Sequence, residues 1–123
     1  MEIWVPEPDF ITADVIRWTE GVFDKRRRGK PLCIGERLVT AEVSERGEDG
    51  WVRLLVRACA ITRDDYAGKH VTILKPESAI RRGAKTILRG KPERLLWEDE
   101  SARAAVLASK PAKSRFGALP SDT

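Results

Sequence analysis

Apolar and polar residues alternate most regularly in the middle of the chain. Residues 32–43 and residues 51–61 each show the two-residue period of a half-buried strand. The inward positions are Val39, Ala41 and Val43 in the first run, and Val52, Leu54, Val56, Ala58 and Ala60 in the second. Residues 44–50 between the runs are polar and contain two glycines, so the pattern predicts an antiparallel hairpin.

Residues 10–23 fit two periods. Apolar residues recur at helical spacing between Ile11 and Val22, whereas residues 15–23 are rich in the β-branched and aromatic side chains of strands. Gly21 would cost a helix interior about 1 kcal/mol relative to alanine. The strand is therefore the favoured interpretation of this run, and the helix is kept as its alternative.

Shorter apolar runs predict the remaining sheet elements. Short strands are expected at residues 3–5, 70–74, 86–89 and 94–97. Residues 90–93 contain a glycine and a proline, which predict a turn between the last two of these strands. Residues 76–82 begin with a proline and predict a single helical turn.

One longer helix is expected at residues 98–108. Asp99 is suited to cap its first turn, and acidic residues lead it. Ala102, Ala105 and Val106 form one apolar stripe along it. Residues 109–123 contain two prolines and a glycine, and we expect them to form a disordered tail.

These elements together predict a mainly β fold with a minor helical part. We expect a small antiparallel curled sheet, or an SH3-like or OB-like barrel, of five to six short strands with one C-terminal helix. The chain has 123 residues, which fits one core. The expected organisation is a single small β-rich domain over residues 1–108 followed by a flexible tail over residues 109–123.

Charge is distributed unevenly along the chain. The formal net charge is +4, yet residues 2–24 hold six acids and only one arginine. The remainder must therefore carry the whole positive excess. An acidic start followed by a basic body predicts either an electrostatic dipole or internal pairing of the two parts.

Several kinds of chemistry lack the residues they need. The chain has one histidine, His70, and its two cysteines, Cys33 and Cys59, are far apart, so no zinc-binding spacing occurs. Phosphate-cradling, dinucleotide-binding and GxSxG motifs are also missing. Asp64 and Asp65 are better explained as turn residues than as Mg²⁺ ligands. We therefore expect a protein that is not an enzyme and uses no metal or cofactor.

The same composition bears on compartment. No apolar run approaches the roughly 18 residues of a membrane span, and no charged-then-apolar leader is present. Both cysteines lie in apolar strand-like runs, which is typical of small buried thiols in a reducing compartment. We expect a bacterial cytoplasmic protein with no membrane partner.

Cations cluster in two predicted connections and on one strand. The densest cluster is Lys25, Arg26, Arg27, Arg28 and Lys30, which like-charge repulsion must keep on the surface. A second set comprises Arg81, Arg82, Lys85, Arg89, Lys91 and Arg94. The strand pattern also places Trp51 on an outward face with Arg53 and Arg57. Arginines interleaved with an exposed aromatic ring are typical of a surface that stacks bases and binds phosphates.

Two functions from different classes follow. The first is a non-enzymatic nucleic-acid-binding module that contacts phosphates through these cations. The second is a protein-interaction or assembly module, with another protein or a second copy as partner. In the second case, either an apolar face containing Trp51, Leu55 and Ile61 or the alanine-rich face of residues 98–108 would meet the other chain.

Overall fold

The computed structural model describes residues 2–24, 30–66 and 71–109. The elements in chain order are β1 Trp4–Pro6, β2 Val15–Asp24, β3 Leu32–Arg46, β4 Trp51–Asp64, β5 Ala79–Gly83, α1 Ala84–Arg89, β6 Glu93–Leu95 and α2 Glu100–Ser109. One antiparallel sheet contains all six strands, in the order β1-β6-β2-β3-β4-β5. The expected mainly β fold on a small antiparallel sheet is confirmed, but the sheet is open and does not close into a barrel.

The central hairpin of β3 and β4 is confirmed, and β2 pairs with β3 along its whole length. The strand interpretation of residues 15–23 is therefore correct. Ile16 and Trp18 of β2 are completely or almost completely buried, together with the predicted inward residues Val39, Ala41, Val43, Val52, Leu54 and Val56. These residues share one face of the sheet, called here the core face. Phe10, which precedes β2, and Ile87, which lies in α1, belong to the same hydrophobic cluster.

The set of β4 residues that face the core changes at Arg57. The alternating pattern of the sequence does not reveal this change. Thr40 pairs with Ala58, but the next residue of β3 pairs with Val56, so Arg57 is an extra residue in a β-bulge. A bulge of one residue moves every later side chain to the other face. Ala58 and Ala60, predicted to face inward, are exposed, and Cys59 packs against the core instead.

Three expectations for residues 70–97 are wrong. Residues 79–82 of the expected helical turn belong instead to β5, which pairs with the outer edge of β4. The expected strand at residues 86–89 lies in α1, whose Ile87 is buried in the core. Residues 71–75 contain no strand. Residues 90–93 accordingly connect a helix to β6 rather than two strands of a hairpin.

Close packing against β2 positions α1. The Thr19 amide donates a hydrogen bond to the carbonyl oxygen of Gly90 at 3.2 Å. A Cβ atom at Gly90 would lie 2.1 Å from the Thr19 carbonyl oxygen, so this approach requires glycine. The end of α1 is therefore held against the edge of β2 just beyond the point where β6 stops pairing with it.

Polar contacts attach α2 to the rest of the fold. Asp99 accepts a hydrogen bond from the Ser101 amide at 3.0 Å, which agrees with its expected capping role. The predicted stripe of Ala102, Ala105 and Val106 is exposed, and Arg103 is the buried residue among positions 100–108. The stripe is therefore exposed in the described structure, and its use as a surface for another chain stays a prediction.

Neither helix of the described ranges is long and apolar enough to cross a membrane. The predicted tail, residues 109–123, lies outside the described residues apart from the backbone of Ser109, which ends α2.

Candidate nucleic-acid interface

Strand register brings three of the predicted site residues together on the face of the sheet opposite the core, called here the outer face. Arg53 of β4 pairs directly with Arg81 of β5, and Trp51 pairs with Gly83. The Cζ atom of Arg81 lies 4.4 Å from the centroid of a Trp51 ring. Trp51 remains 44% exposed. One indole and two guanidinium groups are thus adjacent at the end of the sheet.

Acidic residues compensate the positive charges of Arg53 and Arg81 only weakly. Like charges directly opposite each other on antiparallel strands are destabilising. Arg53 has an ion-pair partner in Glu45, but the two groups are 3.7 Å apart and both largely exposed, where such pairs contribute little. Among the contacts that the described residues show, the Arg81 guanidinium lies over the indole ring. The two guanidinium groups therefore keep donors that an anion in solution can reach.

Lys85 lies at the same end of the sheet. The Ala84 amide donates a hydrogen bond to the Gly50 carbonyl oxygen at 2.8 Å, which fixes the first residue of α1 beside the start of β4. Lys85 follows and is exposed. Trp51, Arg53 and Arg81 are called here the Trp51 surface, and Lys85 is an exposed cation near it.

A groove of about 520 Å³ adjoins the Trp51 surface. Its charged and aromatic lining consists of Glu45, Arg46, Glu48, Asp49, Trp51, Arg53 and Arg81. Acids and arginines are equal in number in this lining. The groove therefore offers directed hydrogen-bond donors and a ring face rather than a strong positive field.

Other predicted site residues are used within the fold. Arg57 pairs with Glu42 on the neighbouring strand. Arg82 points to the core face, since it pairs with buried Val52, and there it binds Glu20 through two hydrogen bonds of 2.9 and 3.1 Å. The structure therefore separates Arg82 from the Trp51 surface.

Glu20 is the centre of a largely buried cluster on the core face. It accepts hydrogen bonds from both Arg37 and Arg82 and from the indole of Trp18. Burial alone would raise the pKa of Glu20, but these hydrogen bonds and the charge of Arg82 outweigh it and lower the pKa below its ordinary value. Glu20 is therefore an ionised structural group.

Arg94 and Arg103 form the second internal cluster. Arg94 is buried and binds Glu7 and both carboxylate oxygens of Glu100 at 2.9 Å. Its hydrogen bonds, with one from the Trp97 amide, lower the pKa of Glu100 to about 2. The Arg103 guanidinium binds Asp14 at 2.7 and 2.9 Å. Glu7 and Asp14, from the start of the chain, thus pair with later arginines. This is the internal pairing that the uneven charge distribution predicts as an alternative to an electrostatic dipole.

The densest basic cluster is only partly described. Lys25, Arg26, Arg27 and Arg28 lie outside the described residues, and Lys30 is exposed just before β3. Residues 2–24, 30–66 and 71–109 hold 15 of the 23 Lys and Arg residues and 18 of the 19 Asp and Glu residues. The described part of the chain therefore has more acids than cations, and the positive excess belongs to the remainder.

Sequence reasoning missed the partners of these arginines and one surface. The Glu20 cluster with Arg37 was not anticipated, because nothing in the order of residues pairs them. The free edge of β2 near Gly21 was also missed, although a glycine inside a strand pattern is a known sign of an irregular or closely approached strand. In the ranges that the structure describes, His, Cys, Asp and Glu do not form a group able to hold a metal ion.

No protein-family model, curated protein or solved structure matches the chain.

Proposed function

We propose that the protein is a non-enzymatic nucleic-acid-binding module that contacts an unpaired strand through the Trp51 surface. The observation that supports this proposal is the placement of Arg53 directly opposite Arg81 beside an exposed indole. A nucleotide combines an anion with a flat ring, so it would relieve the repulsion and extend the stack. Base stacking on an aromatic side chain contributes about 1–3 kcal/mol per base.

Single strands fit this surface better than duplexes do. A base must leave its stack to reach Trp51, and an unpaired strand has no pairing to break. Arg53 and Arg81 are the two cations of the Trp51 surface, so affinity should fall with salt at a log–log slope of about −1.4, at roughly −0.7 per contact for single strands, and a contact from Lys85 would steepen it. Lys25, Arg26, Arg27, Arg28 and Lys30 remain predicted phosphate contacts, and each would steepen that slope.

Fluorescence anisotropy with a labelled oligothymidine and a matched duplex tests the proposal. At about 50 mM salt we expect tighter binding of the single strand, and weaker binding at about 200 mM. Trp51→Ala should weaken binding about tenfold, and Arg53→Gln with Arg81→Gln should reduce the salt slope. Lys75→Gln is the matched control, since Lys75 is exposed and outside the Trp51 surface. Binding that is independent of salt, or that is absent at low salt, contradicts the proposal.

A specific observation favours an assembly module as the second candidate. Leu107 of α2 is 42% exposed, and the alanine-rich stripe of this helix faces solvent. Ile61, however, pairs with Arg37 beyond the Arg57 bulge, so it does not share a face with Trp51 and Leu55. The α2 version of this function is therefore the one to test. Light scattering over micromolar concentrations should detect a dimer that Leu107→Glu dissociates, and a strict monomer removes this candidate.

A further inference from the structure

The side of β2 that faces β6 loses its partner part-way along the strand. Pairing with β6 involves only Ile16 and Arg17. The next amide on this side of β2, that of Thr19, donates its hydrogen bond to the Gly90 carbonyl oxygen at the end of α1. Beyond Thr19, β2 runs on to Asp24 while paired with β3 on its other side.

Backbone groups on this edge remain available. In an antiparallel strand, successive residues direct their backbone groups to alternate neighbours. Because Arg17 and Thr19 face β6 and Gly90, the amide and carbonyl groups of Gly21 and Phe23 face the same side. Within the described ranges neither residue has a backbone partner there, and both are exposed. An unpaired edge of this kind accepts another extended chain.

A groove of about 640 Å³ runs beside this edge. It is lined by Thr19, Glu20, Gly21, Phe23, Glu36, Arg37, Arg82, Thr86, Arg89 and Gly90. Phe23 is 59% exposed, and the end of α1 contributes Thr86 and Arg89. The backbone edge at Gly21 and Phe23, together with this lining, is called here the β2 edge groove.

Charge in the β2 edge groove is unbalanced in favour of cations. Arg37 and Arg82 share one carboxylate, that of Glu20. The carboxylate of Glu36 forms an ion pair of 3.3 Å with the guanidinium of Arg63, which lies outside the groove lining. The exposed Arg89 makes a contact with the Thr86 hydroxyl at 3.5 Å, the outer limit of a hydrogen bond. An acidic ligand would supply the missing partner.

We propose that the β2 edge groove binds an extended acidic peptide of a partner protein, which adds as a further strand at Gly21 and Phe23. Side chains of an added strand alternate between two faces. Carboxylates on one face meet Arg89, while apolar side chains on the other face meet the Phe23 ring. Unpaired amide and carbonyl groups in strand geometry select a polypeptide, since a nucleic acid cannot satisfy both in this repeat. The inference is independent of nucleic-acid binding at the Trp51 surface.

Titration with a synthetic peptide tests the inference. The probe is a labelled, end-capped peptide of alternating valine and glutamate, and we expect saturable binding. Two further peptides carry N-methyl groups at one or the other alternate set of residues. Since only one set faces β2, one peptide should lose binding by about tenfold or more and the other should retain it, because each lost backbone hydrogen bond costs about 0.5–1.5 kcal/mol.

Protein variants separate this site from adsorption to any cation. Arg89→Glu should weaken the peptide by about tenfold, whereas Lys75→Glu, the same charge change at an exposed site outside the groove, should not. Equal binding of both N-methylated peptides, or equal loss in the two variants, overturns the inference. Displacement of the peptide by oligothymidine with loss of oligothymidine binding in Arg89→Glu would assign the groove to nucleic acid and also overturn it. Failure of Trp51→Ala to affect oligothymidine concerns only the proposed function.

Discussion

At the level of single residues, the buried charges hold distant parts of the chain together. Asp14 is completely buried and accepts four hydrogen bonds: from the Ile11 amide at 2.8 Å, from the Trp97 indole at 2.8 Å, and from Arg103 at 2.9 and 2.7 Å. This carboxylate therefore connects the segment before β2 to α2. A buried carboxylate with this many partners is a structural group whose loss leaves other buried groups unsatisfied.

Replacement of Asp14 is expected to be severe. Asp14→Asn leaves the buried Arg103 guanidinium without its closest anion, with Glu7 3.7 Å away, and removal of one partner of such a pair costs about 3–5 kcal/mol. Urea denaturation should show a loss of that order in the free energy of unfolding. Asp9→Asn is the matched control, since Asp9 is exposed, and it should leave stability unchanged. Equal, small effects in the two variants would contradict a structural role for Asp14.

Acid should destabilise the fold through Glu100. Its pKa is about 2 in the folded protein against an ordinary value of 4.5, with the hydrogen bond from Arg94 as the largest cause. A lowered folded pKa means that the unfolded chain binds the proton more readily, so the contribution is present above about pH 5 and is lost as pH falls towards 2. Urea midpoints across that range should fall, and less steeply in Glu100→Gln. The same slope in both proteins would show that Glu100 does not contribute.

At the level of elements, alternation in the sequence predicts the strands whose two faces differ most. Val39, Ala41 and Val43 are buried as expected because their neighbours in the strand are polar or partly exposed. The predicted inward positions become wrong at Arg57, because this one extra residue exchanges the inward and outward positions of β4. A bulge is set by the pairing of two strands, and no single run of residues contains that information.

Tertiary packing decides the identity of the short elements. Residues 84–89 have the apolar content of a short strand, and burial of Ile87 in the core favours the helix. Residues 79–83 become a strand because the outer edge of β4 is available to them. Sequence alone therefore predicts the fold class and the central hairpin, while α1 and β5 depend on contacts made elsewhere in the chain.

Gly90 tests the docking of α1 on β2. Gly90→Ala would place a Cβ 2.1 Å from the Thr19 carbonyl oxygen, so the backbone must shift, and overpacking of this kind costs about 1–3 kcal/mol. Gly83→Ala is the matched control at the other end of α1, where the nearest atom to a Cβ is the Thr86 hydroxyl at 3.7 Å. Thermal denaturation should show a lower midpoint for Gly90→Ala alone. Equal midpoints would mean that α1 is not held closely against β2.

At the level of the whole molecule, the sequence shows where the cations cluster along the chain but not which acids pair with them. Arg57, Arg82 and Arg94 were candidates because they are basic and clustered in sequence, yet each is paired with a carboxylate from another element. Trp51, Arg53 and Arg81 do meet, because strand register aligns them. Sequence can predict that a chain has spare positive charge, but only the fold decides which cations remain available to a ligand.

Separate replacement of the two cation groups shows how each contributes to nucleic-acid binding. A variant with Lys25, Arg26, Arg27 and Arg28 changed to glutamine removes four positive charges that lie outside the described residues. If they contact phosphates, the log–log salt slope for oligothymidine should become shallower by about 3, against about 1.4 for Arg53→Gln with Arg81→Gln. If they act only by long-range attraction, association should slow at low salt while the effect of Trp51→Ala persists. Loss of all binding in this variant, together with an unchanged affinity when Trp51→Ala is made alone, would assign the activity to the Lys25–Arg28 cluster and contradict a role for the Trp51 surface.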